Sequence, residues 1–479
     1  MLFLSFQYVV FFLGIYLMNW IYIILSHRFK YKSYRNYSMI LLLESYAFII
    51  LADLKTAVCL FVLTVLVYLV SKGMKKYQNR KNVFKWIFAI GVVFSAGQLI
   101  IYKYCDFLMQ NISRILDLPY KNNWNLFIPL GISFFTFSAI GYLTDLYRGG
   151  YEAFENFDDL ALYLAFFPKF TSGPIVPANK FVSQVKSGFC SVSLERLQIG
   201  VQYVVWGMFK KMVIADHLVI FVDEVFRVPE VFDSVTCLWA VLSYSLQIYF
   251  DFSGYSDMAI GFAKMLGIDI EKNFDLPYLS RNITEFWKRW HISLSAWLMK
   301  YIYIPLGGNR KGKIRTYMNL VLTMLIGGFW HGASWNFVIW GGIHGIALVI
   351  HKCFMKQQKN PQKTRWWSIV VTYIFVCFTW IFFRADSFSQ AVSLIVQMVT
   401  VKAGVHQIYS WTFLAVLFAV FEIIYSVRIS KREEKAKVEI AYPIWNLNST
   451  KGLFMFFILV GITIILAYVG QVAFIYGKF

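Results

Sequence analysis

Apolar runs recur along the whole chain, each closed by a short polar or basic segment. A helix needs roughly 17–25 mostly apolar residues to cross a hydrocarbon core. Residues 2–25, 37–52, 56–70, 86–104, 125–147, 197–226, 238–266, 318–335, 337–350, 367–383, 411–427 and 453–472 meet or approach that length. Lipid offers no partners to backbone N–H and C=O groups, so these runs are expected to be helical. The period-2 alternation of a membrane barrel is absent. The pattern predicts an all-α, polytopic transmembrane helical protein with about twelve crossings plus re-entrant and interfacial helices.

Three stretches depart from the pattern. Residues 163–181 are apolar but interrupted by Pro168, Gly173, Pro174 and Pro177. Such a segment cannot span as a plain helix. It reads as re-entrant, tolerated only where protein or a water cavity covers its backbone. Residues 282–303 carry Glu285, Lys288 and Arg289 among apolar positions. They are expected to form an amphipathic helix in the inner leaflet. Residues 106–123 are mixed and are expected on the outer surface. A tight turn at Asp53–Lys55 separates the second and third spans.

Composition agrees with the pattern. The chain has 479 residues, 58% hydrophobic and 15% charged, against roughly 45–50% and 25% in soluble domains. The net charge of +20 would suit a nucleic-acid partner, but the basic residues lie in clusters between apolar runs. Arg28–Arg35, Lys72–Lys85, Lys352–Arg365 and Arg428–Lys437 read as cytoplasmic loops, which puts both termini outside. The partner so implied is a lipid bilayer and no nucleic acid. Six scattered cysteines show no paired metal or redox spacing and read as apolar filler. The chain divides by pattern into N-terminal spans (1–124), a motif-rich core (125–353), and C-terminal spans with an aromatic tail (354–479).

Ionisable residues inside apolar runs are costly and mark candidate chemistry. His331 ends such a run, in Gly327-Gly328-Phe329-Trp330-His331-Gly332, with Trp330 and Trp335 expected to shape a pocket around it. Desolvation keeps such an imidazole neutral and able to accept a proton. His291 lies beside Lys288 and Arg289, where a headgroup-facing role is equally open. Asp251 and Asp257 flank a glycine–serine break within a span, and Arg289 or Lys210 are possible partners. Lys210 and Lys211 could attract an anionic donor, snorkel, or pair with an aspartate. His344 reads as helix packing. The histidines lack metal-ligand spacing, so no metal is expected.

The chain resembles the membrane-bound O-acyltransferase family, closest to its bacterial exopolysaccharide (alginate) O-acetyltransferase branch, with the teichoic acid D-alanyl-transfer membrane protein as a cousin. The motifs that carry the resemblance are Pro129-Leu130-Gly131-Ile132-Ser133-Phe134-Phe135-Thr136-Phe137, Phe166-Phe167-Pro168-Lys169 with Gly173-Pro174-Ile175, and Tyr249-Phe250-Asp251-Phe252-Ser253-Gly254-Tyr255-Ser256-Asp257. They continue with Phe286-Trp287-Lys288-Arg289-Trp290-His291, Tyr303-Ile304-Pro305-Leu306-Gly307-Gly308-Asn309-Arg310 and Gly328-Phe329-Trp330-His331-Gly332. They cover most of residues 125–345, in family order. The resemblance implies that His331 is the catalytic histidine and that His291 holds a second polar position of the site.

It also implies a multi-pass protein of the bacterial cytoplasmic membrane that moves an acyl group, expected to be acetyl, from a cytoplasmic thioester across the membrane. The donor is acetyl-CoA or a carrier-protein thioester, with no bound cofactor. The final acceptor implied is an extracellular polysaccharide, reached through an extracellular partner enzyme with a serine nucleophile. His291, or a backbone N–H near Gly327–Gly328, could stabilise the oxyanion. Arg310, Lys311 and Lys313 could hold donor phosphates or be ordinary inner-side charge. D-alanyl transfer to teichoic acid is one alternative; a transporter or lipid flippase is another, since broken helices and buried charges suit both. The tail Phe474-Ile475-Tyr476-Gly477-Lys478-Phe479 is either an interfacial anchor or a segment folded toward His331. In the second case Phe474 and Phe479 anchor it and Tyr476 relays the acyl group.

Overall fold

The structure, a computed structural model, describes residues 6–28, 34–120, 126–150, 152–188, 192–355, 366–436, 445–470, 472, 474 and 475. Helices make up its regular structure, and one parallel bridge between Phe232 and Val405 is the only β contact among the described residues. Five helices among those residues are long and apolar enough to cross a bilayer: Leu54–Lys76, Lys81–Leu116, Trp335–Phe354, Trp366–Arg384 and Ser410–Arg428. Val10–Ser26, Phe388–Val399 and Thr450–Leu466 are apolar but shorter. The all-helical membrane class stands. These helices do not by themselves give twelve crossings.

The helix Lys81–Leu99 passes through a π-turn at Ile100–Tyr104 into Cys105–Leu116, so the fourth span runs on into the segment expected on the outer surface and stops only at the left-handed Asp117. One expectation about local structure needs correction. Residues 282–303 are not one helix. They form Ile283–Arg289, Ile292–Leu298 and a π-turn at Met299–Tyr303, broken where His291 takes left-handed backbone angles. The helix Phe388–Val399, capped by the Ser387 side chain, has no counterpart among the expected elements.

The chain forms two compact units. The first comprises Met1–Val204 and Met258–Glu271. Asp53 caps Leu54–Lys76 through the amides of Lys55 and Thr56, which makes the tight turn. Rings of Tyr8, Phe12, Phe48, Phe167 and Phe262 pack together, with Phe12 and Phe262 centroids 4.4 Å apart. Residues 157–188 fold as Phe157–Ala165, Phe167–Phe170 and Ala178–Gly188, with an irregular buried link at 171–177. Protein therefore covers this proline-broken backbone, as its composition requires.

The second unit comprises Val205–Asp257 and Lys272–Phe479. Its helices Lys313–His331 and Trp335–Met355 touch through glycines. A Cβ on Gly328 would lie 2.2 Å from the Phe337 carbonyl oxygen, and one on Gly341 would lie 2.4 Å from the Met324 oxygen. Small residues at such crossings let backbones approach in lipid. This contact fixes the C-terminal end of Lys313–His331, and with it His331. A π-turn at Phe209–Ala215 packs against Gly254, whose Cβ would lie 2.7 Å from the Gly207 oxygen.

Candidate active site

His331 is the last residue of Lys313–His331 and is buried. Aromatic edges and faces enclose its ring. Trp330 lies 4.9 Å from it between centroids, Phe383 5.1 Å and Trp340 5.2 Å, all near-perpendicular. Trp335, expected beside the histidine, is exposed instead. It opens the next helix, whose 3.6-residue period turns Phe337, Trp340 and His344 inward.

His291 is fully buried and sits at φ 44°, ψ 55°, between two seven-residue helices. That region costs a non-glycine residue about 1–2 kcal/mol, and such strain collects at functional sites. Asn273 holds it there. Its Oδ1 accepts from the Ser293 amide at 3.1 Å and the Ser293 hydroxyl at 2.9 Å, and its backbone oxygen accepts from Ile292 N–H. The His291 Nδ1 lies 3.3 Å from the same Oδ1. An amide oxygen can only accept, so Nδ1 is the donor in this contact and the lone pair of the neutral ring is on Nε2. Phe252 packs edge-on to His291 at 4.6 Å, and the Trp330 ring is 6.2 Å away. One indole, Trp330, thus contacts both imidazoles.

His344, expected to serve helix packing, is buried and engaged at both ring nitrogens. Trp287 Nε1–H donates to its Nδ1 at 3.3 Å, and its Nε2 meets the Thr379 hydroxyl at 3.0 Å.

A buried ion network lies on the Gly254 contact. Lys210 bonds Asp257 at 3.0 Å and also Glu422, whose other oxygen accepts from the Tyr249 hydroxyl at 2.9 Å. Lys211 bonds Asp251 at 2.5 Å and Asp216 at 2.6 Å. Of the uses open to them, the lysines are therefore paired with carboxylates. Arg289 is not a partner of either aspartate. It pairs with Glu285 at 2.8 Å, one turn back on its own helix, and with the Asp275 carbonyl. Arg310 is exposed in a glycine-rich turn that Asn319 holds through the Leu306 and Gly308 carbonyls.

The network also holds the end of the chain. The Ile475 amide donates to Asp251 Oδ2 at 2.9 Å. Phe474 is buried, stacked on Tyr255 at 4.5 Å and edge-on to Phe252 at 5.8 Å. It is not an interfacial anchor. Phe252 touches both Phe474 and His291, so the tail enters the aromatic cluster of the site. Tyr476 and Phe479 lie outside the described residues.

Residues 156–395, half of the chain, match the model of MBOAT, the membrane-bound O-acyltransferase family. The chain belongs to the membrane-bound O-acyltransferase family. That match contains both histidines, their aromatic enclosure, and Lys210, Lys211, Asp251 and Asp257. The chain is 36% identical over 358 residues to the peptidoglycan O-acetyltransferase of Helicobacter pylori, covering 68% of this chain and 67% of that protein. It is 40% identical over 311 residues to the probable alginate O-acetylase AlgI of Azotobacter vinelandii, covering 64% and 61%. It is 30% identical over 304 residues to the teichoic acid D-alanyltransferase of Streptococcus thermophilus, covering 61% and 70%. The chain thus spans about three fifths to two thirds of the O-acetylating relatives it matches.

Sequence reasoning missed several residues of this O-acyltransferase core. Glu422 is an acid within an apolar run, a signal that was available, whereas Asp216 shares its helix with Asp223, Glu224 and Arg227 and did not stand out. Asn273, Trp340 and Phe383 had none, since their roles depend on tertiary approach. The Gly327–Gly328 amides lie inside the continuous helix Lys313–His331. They belong to its hydrogen-bond ladder and are not placed to serve an oxyanion.

Proposed function

We propose that this chain is a membrane O-acetyltransferase that passes an acetyl group from a cytoplasmic thioester to the outer side, for O-acetylation of an extracellular polysaccharide. The observation that carries the reading is the pair His331 and His291, both buried and both against Trp330, in the part of the chain that matches the family. Acetyl is favoured over D-alanyl because the O-acetylase relatives share more identity with this chain than the D-alanyltransferase does.

In this reading His331 is the general base that takes the proton of the attacking hydroxyl, a role worth roughly 10²–10⁴-fold. The hydroxyl oxygen bonds to the acyl carbon, the carbon–sulfur bond breaks, and the proton passes from His331 to the leaving thiolate. His291, neutral with its lone pair on Nε2, is a second acceptor that orients the hydroxyl. It does not donate to an oxyanion in this tautomer. The donor is acetyl-CoA or a carrier-protein thioester, with Arg310 as an exposed inner-side cation for its phosphates.

The first acceptor is the phenol of Tyr476, which then gives the acetyl group to a serine-nucleophile partner enzyme outside. The burial of Phe474 and the bond from Ile475 to Asp251 support this, because they lead the chain into the cluster two residues before Tyr476. A phenol of pKa roughly 10 is a poor nucleophile without an adjacent base, which is the part given to His331.

The test is polymer acetylation in cells carrying His331→Ala, with membrane accumulation measured in parallel. The expected result is loss of acetylation at normal protein level; normal acetylation refutes the assignment. Tyr476→Phe keeps the ring and should give the same loss. Normal acetylation in that variant removes the relay and leaves the tail as a docking element.

A further inference from the structure

The first unit contains a buried acid that the acyl-transfer reading does not use. Glu44 lies within the helix Tyr34–Ala52, in the buried stripe Tyr37, Leu41, Glu44 and Phe48. Asn19 lies in the buried stripe of the helix Phe6–Arg28, with Phe12, Ile15, Ile23 and Ser26. The two side chains meet. Asn19 Nδ2 donates to Glu44 Oε1 at 2.7 Å and to the Ile15 carbonyl at 2.9 Å, which uses both amide hydrogens. Two oxygens are left over, Glu44 Oε2 and Asn19 Oδ1. Each is sealed from water and has no hydrogen-bond partner among the described residues. Turning the Asn19 amide over would set its oxygen against the Ile15 carbonyl, so the orientation is fixed.

A carboxylate inside an apolar span is costly unless a cation or several donors hold it. Glu44 has one donor. The charges on the elements around its helix are directed elsewhere. Lys169 lies over the Tyr163 ring at 4.1 Å, Lys180 pairs with Glu271, and Arg196 pairs with Asp269 at 3.0 Å. Lys72 donates to the Glu155 carbonyl, and Asp159 accepts from Asn156. Tyr37 and Tyr46 on the same helix and Tyr16 on the first are phenols, and an unperturbed phenol stays neutral to about pH 10. One proton on Glu44 Oε2 resolves the mismatch. It turns one of the two orphan acceptors into a donor, and the other orphan belongs to the amide already bonded to the same carboxyl group. Acid and amide then exchange two hydrogen bonds, N–H to Oε1 and O–H to Oδ1, and every polar atom of the pair has a partner.

We propose that Glu44 is held as the neutral acid and that its reciprocal pair with Asn19 is a proton-dependent latch between the first and second helices. The proton is taken from water on folding. Its loss leaves two sealed acceptors facing each other, one of them charged, and opens the latch. The proposal is independent of the acyl-transfer reading, since neither residue belongs to the His331 and His291 cluster.

The test is thermal unfolding of the full-length, detergent-purified protein from about pH 5 to about pH 8, wild type against Glu44→Gln. Glutamine keeps the shape, and its amide N–H makes the bond to Asn19 Oδ1 without a titrating proton. An unfolded glutamate releases its proton near about pH 4.3. Above that pH the folded wild type binds one proton more than the unfolded chain, so its stability falls as pH rises. The wild type should therefore lose ground to Glu44→Gln by up to about tenfold in the unfolding constant per pH unit. Parallel pH curves for the two proteins overturn the proposal. A second measurement is the infrared difference spectrum of wild type minus Glu44→Gln at neutral pH. It should show the C=O stretch of a protonated carboxylic acid in the wild type; carboxylate bands in its place overturn the proposal. If Glu44→Gln does not accumulate, the double variant Asn19→Leu with Glu44→Leu, which removes both polar groups together, supplies the difference spectrum and is read in the same way.

Discussion

His291 is placed by a residue outside its own motif. Asn273 bonds both donors of Ser293 and faces His291 Nδ1, so it sets the left-handed turn and the tautomer together. Asn273→Ala leaves the Ser293 amide without its acceptor, at a cost of about 1–3 kcal/mol. The expected outcome is a lowered melting temperature and a larger loss of turnover than of donor binding, read as kcat against KM. An Asn273→Ala enzyme with wild-type kcat would show that the turn does not position His291. His331 was legible as a candidate because an ionisable residue in an apolar run is conspicuous, whereas His291, beside Lys288 and Arg289, became one only through the family resemblance. Their surroundings were less so. Trp335 is near in sequence but exposed, whereas Phe383, 52 positions from His331, packs on its ring. Local spacing identifies a helix face and says nothing of which distant side chain meets it.

Helices in this protein are held by devices that hydropathy reads as interruptions. The Phe209–Ala215 π-turn places Lys210 and Lys211 on opposite carboxylate pairs, and the sequence shows only two lysines in a span. Removing one member of a buried pair costs about 3–5 kcal/mol. Lys211→Met is therefore expected to destabilise the fold by that amount and to release the tail bonded through Asp251. Adding Asp251→Asn should recover part of the loss, as measured by thermal unfolding of both variants. Equal stability of Lys211→Met and wild type would contradict the network.

A second device sits in the loop before Ser234–Met265. The Asp233 carboxylate accepts the Thr236 amide at 2.8 Å and pairs with His406 at 2.7 Å. Its hydrogen bonds from Thr236, then the His406 contact, push its pKa down to about 2. The unfolded carboxyl titrates near roughly 3.9. Because the folded value is the lower one, the stabilisation is fully present above about pH 4 and is lost as pH falls through about 2. The stability gap between wild type and Asp233→Asn should follow that course. A gap unchanged between pH 5 and pH 2 would show that the carboxylate charge contributes nothing.

At the scale of the whole molecule, the membrane class and the helical fold were legible in hydropathy, and the family in its ordered motifs. The number of crossings was not. A 36-residue continuous helix such as Lys81–Leu116 and a buried broken segment such as 157–176 both defeat a count based on apolar length. The orientation expected from the basic loops is what gives the proposed reaction its direction, from an inner thioester to an outer acceptor. The central claim is that the chain itself performs covalent acyl transfer, with His331 as base, and does not merely transport a substrate.

The most direct measurement uses purified full-length protein in proteoliposomes and acetyl-CoA carrying a radiolabelled acetyl group, supplied on the side of the Lys72–Lys85 loop. Transfer of label onto the protein is followed by gel and mass spectrometry, with a carrier-protein thioester run as a second donor. The account predicts an ester-linked acetyl group on the wild-type chain at Tyr476 with at least one of the two donors, and none on His331→Ala. Label recovered only as intact thioester on the far side of the membrane, or equal labelling of His331→Ala, would contradict it.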